Sequence, residues 1–288
     1  MHPRFAKPFE TLSAPLQAAL LPMLGDDFQA RFTPEQVATL RAATGLDDRA
    51  LRLALLPLAA ACSVAPISRF FVGAIACGLS GSWYFGANME FAGQGLFHSV
   101  HAEQSAISNA WLGGETGISE ITVNYTPCGH CRQFMNELST AKTLKVSLPD
   151  DLSELQSFLP HSFGPADLEI TDALMSPQAH DELKLESDDP LWQAALAAAR
   201  QSYAPYSQGY AAVALQFEDG RIFCGRYAEN AAFNPSLPPM QMACAHAVLN
   251  GEELTTVRRA VLLESKSGQI SQRDSAQSTL KALGRVEL

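Results

Sequence analysis

The most constraining feature of the 288-residue chain is that it contains one segment twice. At a constant offset of 139 residues and without gaps, Pro66 meets Pro205, Ser68 meets Ser207, Gly81 meets Gly220, Gly86 meets Gly225 and Glu90 meets Glu229. Turn glycines and strand lengths recur together, which chance agreement in composition does not produce. The period is too long for a solenoid array, so one domain has been copied once. The repeated unit opens with a hairpin: strand 69–77, turn 78–81, returning strand 82–87. In the first copy a helix (99–112), a strand (120–125), a helix (129–138) and a strand (144–148) follow. A hairpin followed by alternating helices and strands predicts an α/β mixed sheet covered by helices. Ahead of it, Thr33-Pro34-Glu35-Gln36 reads as a capping box with proline at the first helical position, and Gly45 ends that helix. A second helix runs from 47 to 62, with Pro57 expected to kink or break it. The polar stretch 176–190 is the best linker. The expected division is a helical region at 1–47, a first domain at 48–160, a linker at 161–188 and a second domain at 189–288.

Thirty acidic against twenty basic residues leave a net charge of −10. That argues against a nucleic-acid partner or an anionic membrane surface, which both call for Lys/Arg stripes. The most apolar run, 53–62, is half the ~20 residues of a spanning helix, and Pro57 interrupts it. The first eight residues lack the apolar core of a secretory signal. A cytoplasmic protein is expected, its six cysteines being thiols or metal ligands. Only 17% of residues are charged, against a usual ~25%. A chain that buries surface between subunits would show that deficit.

The chemistry is concentrated in His101-Ala102-Glu103 and Pro127-Cys128-Gly129-His130-Cys131. The pairing of H-x-E with P-C-x-x-C resembles the signature of zinc nucleobase deaminases. Strand 120–125 runs into Thr126-Pro127 and so places Cys128 at a helix amino terminus, where the dipole and free amides favour the thiolate. Cys128 and Cys131 then share a helix face, and His101 supplies a third ligand. Two thiolates and an imidazole leave one tetrahedral position for water, the mark of a catalytic zinc. A lone C-x-x-C is more often structural zinc or redox-active. Here His98 and His130 are the only candidates for a closing ligand, and a redox pair leaves His101 and Glu103 unexplained. Glu103 is either a first-turn carboxylate facing the helix dipole or a proton carrier beside zinc-bound water. Asn88-Met89-Glu90, at the end of the hairpin, can bracket sugar hydroxyls or simply cap the strand. Phe70 either walls off a base or is ordinary core.

The second copy lacks these groups. With a two-residue insertion after the hairpin, Met242 falls at the place of His101 and Cys244 at that of Glu103. The stretch 273–276, matching the C-x-x-C, has no cysteine. Glu229 matches Glu90, but Tyr227 stands where Asn88 is. Cys62, Cys77, Cys224 and Cys244 are read as small buried hydrophobes.

Across nearly its whole length the chain resembles the long, two-domain, homodimeric bacterial cytidine deaminases. Besides the zinc signature, the likeness is carried by the opening Met1-His2-Pro3-Arg4-Phe5, by Phe85-Gly86-Ala87-Asn88-Met89-Glu90-Phe91, by 100–108, by 123–138, by Phe163-Gly164-Pro165 and by 227–235. The resemblance implies a duplicated α/β/α three-layer deaminase fold and one zinc per chain on His101, Cys128 and Cys131. It implies proton transfer by Glu103, ribose contacts from Asn88 and Glu90 with Met89 between them, and a base pocket lined by Phe70 and Phe163. It implies a homodimer in which the zinc-less domain completes the partner's site through Ala232 and Phe233. The expected reaction is hydrolysis of cytidine and 2′-deoxycytidine, small-molecule nucleosides, to their uridine counterparts in pyrimidine salvage. The carboxyl end, Arg285-Val286-Glu287-Leu288, is shorter than the resemblance implies for a last strand.

Overall fold

A computed structural model describes residues 1–284; the carboxyl-terminal strand expected at 285–288 lies outside the described residues. The elements run α1 (Ala6–Glu10), α2 (Ala14–Leu20), β1 (Arg31–Phe32), α3 (Pro34–Thr44), α4 (Asp48–Ala60), β2 (Gly73–Gly78), β3 (Trp83–Ala87), α5 (Ala102–Leu112), β4 (Ile118–Val123), α6 (Gly129–Met135), β5 (Lys145–Ser147), β6 (Leu152–Glu154) and α7 (Leu155–Phe158). After an irregular stretch come α8 (Pro190–Ala199), β7 (Ala211–Phe217), β8 (Ile222–Arg226), α9 (Pro239–Leu249), β9 (Val257–Glu264) and α10 (Arg273–Ala282).

Strands β1-β3-β2-β4-β5-β6 form one sheet, mixed because only β4 and β5 pair in parallel. Strands β8-β7-β9 form the other. In the hairpin, alternate residues face opposite layers, as the two-residue period of a strand requires. Ala74, Ala76 and Tyr84 pack with α5, whereas Ile75, Cys77, Trp83 and Phe85 pack with α4 and the amino-terminal helices. The sheet is thus the middle of three layers, α/β/α. In the second copy, Val213 and Leu215 face α9 while Ala214 faces α8. A single core joins the α5 side of one copy to the α9 side of the other.

The duplication is visible residue by residue. The pair Ala74–Gly86 recurs as Val213–Gly225, and Ala74–Val123 recurs as Val213–Leu262, both at the offset of 139. Even the irregularity at Cys77/Gly78 has its copy at Gln216/Phe217. The paired glycines have one cause. A Cβ on Gly86 would lie 2.1 Å from the Ala106 amide nitrogen, and one on Gly225 would lie 2.1 Å from the Pro239 carbonyl oxygen. Each sheet needs a bare α-carbon there to let its helix lie close.

After that helix contact the register differs from the sequence expectation. Gly86 faces Ala102 and Ala106 while Gly225 faces Pro239 and Ala243, so the offset has dropped to 137. The bridge Met89–Val100 likewise recurs as Ala228–Leu237. The second copy has therefore lost two residues from this loop rather than gained two. Pro238 and Met240, not Met242 and Cys244, stand where His101 and Glu103 stand. Proline offers no side-chain ligand atom, and a methionine thioether cannot take up and pass on a proton.

Other elements depart in smaller ways. The capping box at Thr33/Gln36 and the left-handed Gly45 are formed as read. Pro57 does not break α4, because Leu51, Leu55, Leu56, Leu58 and Ala59 bury one continuous stripe along the whole helix. Tertiary packing outweighs the lost backbone bond. The amino-terminal region also contributes β1, which pairs with β3 at the sheet edge. Cys62, Cys77 and Cys244 are buried, but Cys224 is only partly so.

Candidate metal centre and nucleoside pocket

Two helix amino termini meet at the end of the first sheet. His101 is the N-cap of α5, its amide satisfied by the Gln104 side chain at 3.2 Å, which leaves the imidazole free to project. Cys128 is the N-cap of α6, and Cys131 sits one turn later, almost fully buried. His101 Nδ1 lies 3.4 Å from Cys128 Sγ and 3.3 Å from Cys131 Sγ, and the two sulfurs are 3.6 Å apart. Zinc bonds of about 2.3 Å to sulfur and 2.0–2.1 Å to nitrogen, opened to tetrahedral angles, need separations of about 3.5–3.8 Å. The donor set therefore fits zinc in kind and in spacing. Among the described residues this is the single group of three converging His, Cys, Asp or Glu ligand atoms.

Electrostatics prepare the thiolate. Hydrogen bonds from Cys131 and His101, with help from the Cys131 backbone amide, bring the Cys128 thiol down to about 3. The same proximity holds the Cys131 thiol well above its ordinary value. His130 does not join the cluster; its ring stacks on His101, with centroids 5.0 Å apart. His98 points elsewhere, into a hydrogen bond with Gln241 at 2.9 Å. The position opposite the three donors is left to the pocket.

Glu103 is 4% exposed, and burial raises its carboxyl above the usual range. It lines a cleft of about 530 Å³ together with His101, Cys128 and Cys131. Asn88, Met89, Glu90 and Phe70 line the same cleft. Its size suits a small ligand. The Met89 side chain is buried, while its backbone exchanges two hydrogen bonds with Val100 and so ties the hairpin end to the start of α5. Asn88 Oδ1 accepts from the Val72 amide at 2.8 Å, and Nδ2 donates to the Phe70 carbonyl at 2.9 Å. One N–H of Asn88 remains for a ligand. Glu90 Oε2 accepts from the amides of Ile67 and Ser68, and Oε1 accepts from the Ser68 hydroxyl. Phe70 is half exposed at the cleft mouth, its ring 4.6 Å from that of Tyr125.

Phe163, expected in the base pocket, is not brought here, and Ala232 and Phe233, expected at a partner's site, also lie outside this cleft. All three are exposed. Phe163 and the 230–236 loop meet instead at Gln133, which donates to the Phe163 carbonyl at 2.7 Å and accepts from Asn230 Nδ2 at 3.0 Å. Conversely Ser68, Val72, Leu96, Ser99, Tyr125 and Thr126 line the cleft although the sequence gives none of them a binding role. Tyr125 and Thr126 adjoin the proline before Cys128, and that adjacency was the available signal.

Three converging His and Cys donors that suit zinc, beside a buried carboxylate lining the same small-molecule cleft, make the donor set of a zinc-dependent hydrolase. Family models described as "Cytidine and deoxycytidylate deaminase zinc-binding region" match residues 46–147 and 155–277. A cytidine deaminase of Aeromonas hydrophila is 92% identical over all 288 residues, which cover 98% of that protein; one of Aeromonas salmonicida is 91% identical over the same span. Shorter solved cytidine deaminases also align. That of Burkholderia pseudomallei is 30% identical over 41% of this chain and 100% of its own, with a TM-score of 0.36. That of Mycobacterium tuberculosis is 28% identical over 41% and 99%, with a TM-score of 0.38. The chain belongs to the cytidine and deoxycytidylate deaminase family, and the His–Cys–Cys group that could hold zinc lies in the first of its two matched regions.

Proposed function

We propose that this chain hydrolyses cytidine and 2′-deoxycytidine to uridine and 2′-deoxyuridine, releasing ammonia. The observation that carries the reading is Glu103, a buried carboxylate sharing a nucleoside-sized cleft with a three-ligand zinc corner. His101, Cys128 and Cys131 would hold the metal. When bound, zinc supplies Lewis acidity that brings the pKa of water toward ~7. Glu103 takes a proton from the attacking water and delivers it to ring nitrogen N3. C4 thereby becomes the electrophile that accepts the oxygen. Glu103 then takes the remaining proton from the new C4 hydroxyl and passes it to the amine; the C4–N4 bond breaks and the C4 carbonyl forms. One water is consumed and one ammonia leaves. Asn88 and Glu90 would orient the ribose hydroxyls, and Phe70 would face the base.

The net charge of −10 and the Glu90 carboxylate both disfavour a phosphate, so the nucleoside is the substrate rather than its 5′-phosphate or a nucleic acid. Loss of the cytosine absorbance band, followed for cytidine, 2′-deoxycytidine and cytidine 5′-monophosphate at equal concentration, tests this. Turnover of both nucleosides with little of the nucleotide is expected, and preference for the nucleotide contradicts it. Stoichiometric zinc without ammonia release from any of the three would leave only a zinc-stabilised interaction module.

The working unit is read as a homodimer in the cytoplasm, acting in pyrimidine salvage. Six unpaired cysteines suit a reducing compartment, and no helix among the described residues is long and apolar enough to cross a membrane. Ala232 and Phe233, exposed and outside the lining of their own cleft, would complete the cleft of the other subunit. Isologous two-fold contact allows each loop to serve the other subunit.

A further inference from the structure

Glu137, just past the end of α6, is wholly buried, yet no role in binding or chemistry falls to it. Its partners come from the second copy. Tyr203 donates its hydroxyl to Oε1 at 2.8 Å, Tyr206 donates to the same oxygen, and the Ala231 amide donates to Oε2 at 3.0 Å. Burying a carboxylate is costly unless its lone pairs are met, and here three donors meet them. Glu137 is thus a buried acid of the metal-binding copy, solvated by the zinc-less copy.

The segment it holds is the one with exposed apolar residues. Ala231 is buried against Glu137, but Ala232 and Phe233 project into solvent, Phe233 in the left-handed region at φ 61° and 64% exposed. A non-glycine residue there is sustained only when its surroundings over-determine the backbone. Asn230 Oδ1 accepts from the Ala232 amide, Ser236 Oγ accepts from the Asn230 amide, and the Tyr206 ring stands edge-on to Phe233 at 6.3 Å. On the far side, Gln104 of α5 donates to the Pro235 carbonyl at 3.1 Å. The loop is therefore anchored to both helices that carry the metal ligands, at α6 through Gln133 with Glu137 just beyond that helix, and at α5 through Gln104.

We propose that Glu137 is a positioning residue for the reaction: its carboxylate fixes the 230–236 loop in the shape with which Phe233 closes the neighbouring subunit's cleft. The proposal rests on the reading above that this loop serves the other subunit. It gives the second copy a reason to retain Tyr203, Tyr206 and Ala231 around an acid it does not itself contain.

The test uses the zinc-loaded full chain with cytidine as substrate, measuring KM, kcat, zinc content and sedimentation. Glu137→Ala should raise KM about ten-fold, with kcat within two-fold, full zinc and an intact dimer. Glu137→Gln should recover part of the loss, because its carbonyl can still accept from Ala231 while the tyrosine hydroxyls turn to accept from its amide. Phe233→Ala should raise KM as far, and the double variant Glu137→Ala/Phe233→Ala no further than either alone. Should Glu137→Ala not fold, Tyr206→Phe removes one donor and should raise KM about three-fold. A raised KM in Phe233→Ala with unchanged KM in the Glu137 and Tyr206 variants overturns the role of Glu137 alone. Unchanged KM in Phe233→Ala overturns the loop reading and the proposal with it.

Discussion

Glu90 and Glu229 hold the same turn in the two copies. Glu90 Oε2 accepts from the amides of Ile67 and Ser68, and Glu229 Oε2 accepts from those of Tyr206 and Ser207, each pair 139 residues from its counterpart. In both, the next residue is left-handed, Arg69 at φ 54° and Gln208 at φ 51°. A carboxylate that keeps this task in the copy without the His–Cys–Cys group is part of the fold before it is part of a site. At position 90 the fold's own clamp is aimed into the cleft, so sugar recognition would reuse a group already fixed in place.

That dual use can be separated. In Glu90→Gln the carbonyl can keep both amides and the amide can donate to Ser68, so the thermal midpoint should stay within a few degrees of wild type. KM for cytidine should rise about ten-fold through loss of the charged acceptor. An unchanged KM with an unchanged midpoint would make Glu90 a clamp only, like Glu229.

Zinc should be removable and restorable. Chelation should abolish turnover, and added zinc should recover it, with the apparent affinity rising from pH 6 to pH 8 because His101 and the Cys131 thiol must shed protons to ligate, Cys128 already being a thiolate. Competition against a chelator of known affinity measures this. Activity that survives complete metal removal, or an affinity flat across that range, contradicts a His–Cys–Cys centre.

Much of this centre is legible in the sequence because it depends on local rules. A strand running into Thr126-Pro127 fixes Cys128 at a helix start, and the three-residue spacing to Cys131 fixes the shared face. What the sequence left unread is set by contacts between distant segments. The loop length between copies becomes visible only where Gly225 meets Ala243, and β1 is two residues that exist as a strand only against β3. Glu137 carries no local signature at all. A glutamate after a helix reads as solvated until Tyr203 and Ala231, far along the chain, are seen around it.

His246 on α9 should make the protein acid-sensitive. Burial lowers its pKa from 6.5 to about 4, and its Nδ1 has no hydrogen-bond partner among the described side chains. The neutral ring is favoured in the folded state. Its contribution is complete above pH 6.5 and is lost as pH falls toward 4, by up to about 1.4 kcal/mol per pH unit. Thermal midpoints at pH 7 and pH 5 should therefore differ less in His246→Gln than in wild type. Equal differences would show that other groups set the acid limit.

Dimerisation should be visible in activity. If the 230–236 loop completes the other subunit's cleft, specific activity should fall on dilution in step with the dimer fraction seen in sedimentation. A monomer with full specific activity would remove the reason for placing Phe233 at a neighbouring site.

The central claim is that Glu103 carries the proton between water, N3 and the leaving amine beside zinc. The direct measurement is ammonia release from cytidine by wild type and Glu103→Gln, with zinc quantified in the same samples. Equal zinc with kcat reduced by at least about 10²-fold is predicted. Near-wild-type turnover by Glu103→Gln with zinc bound would contradict it.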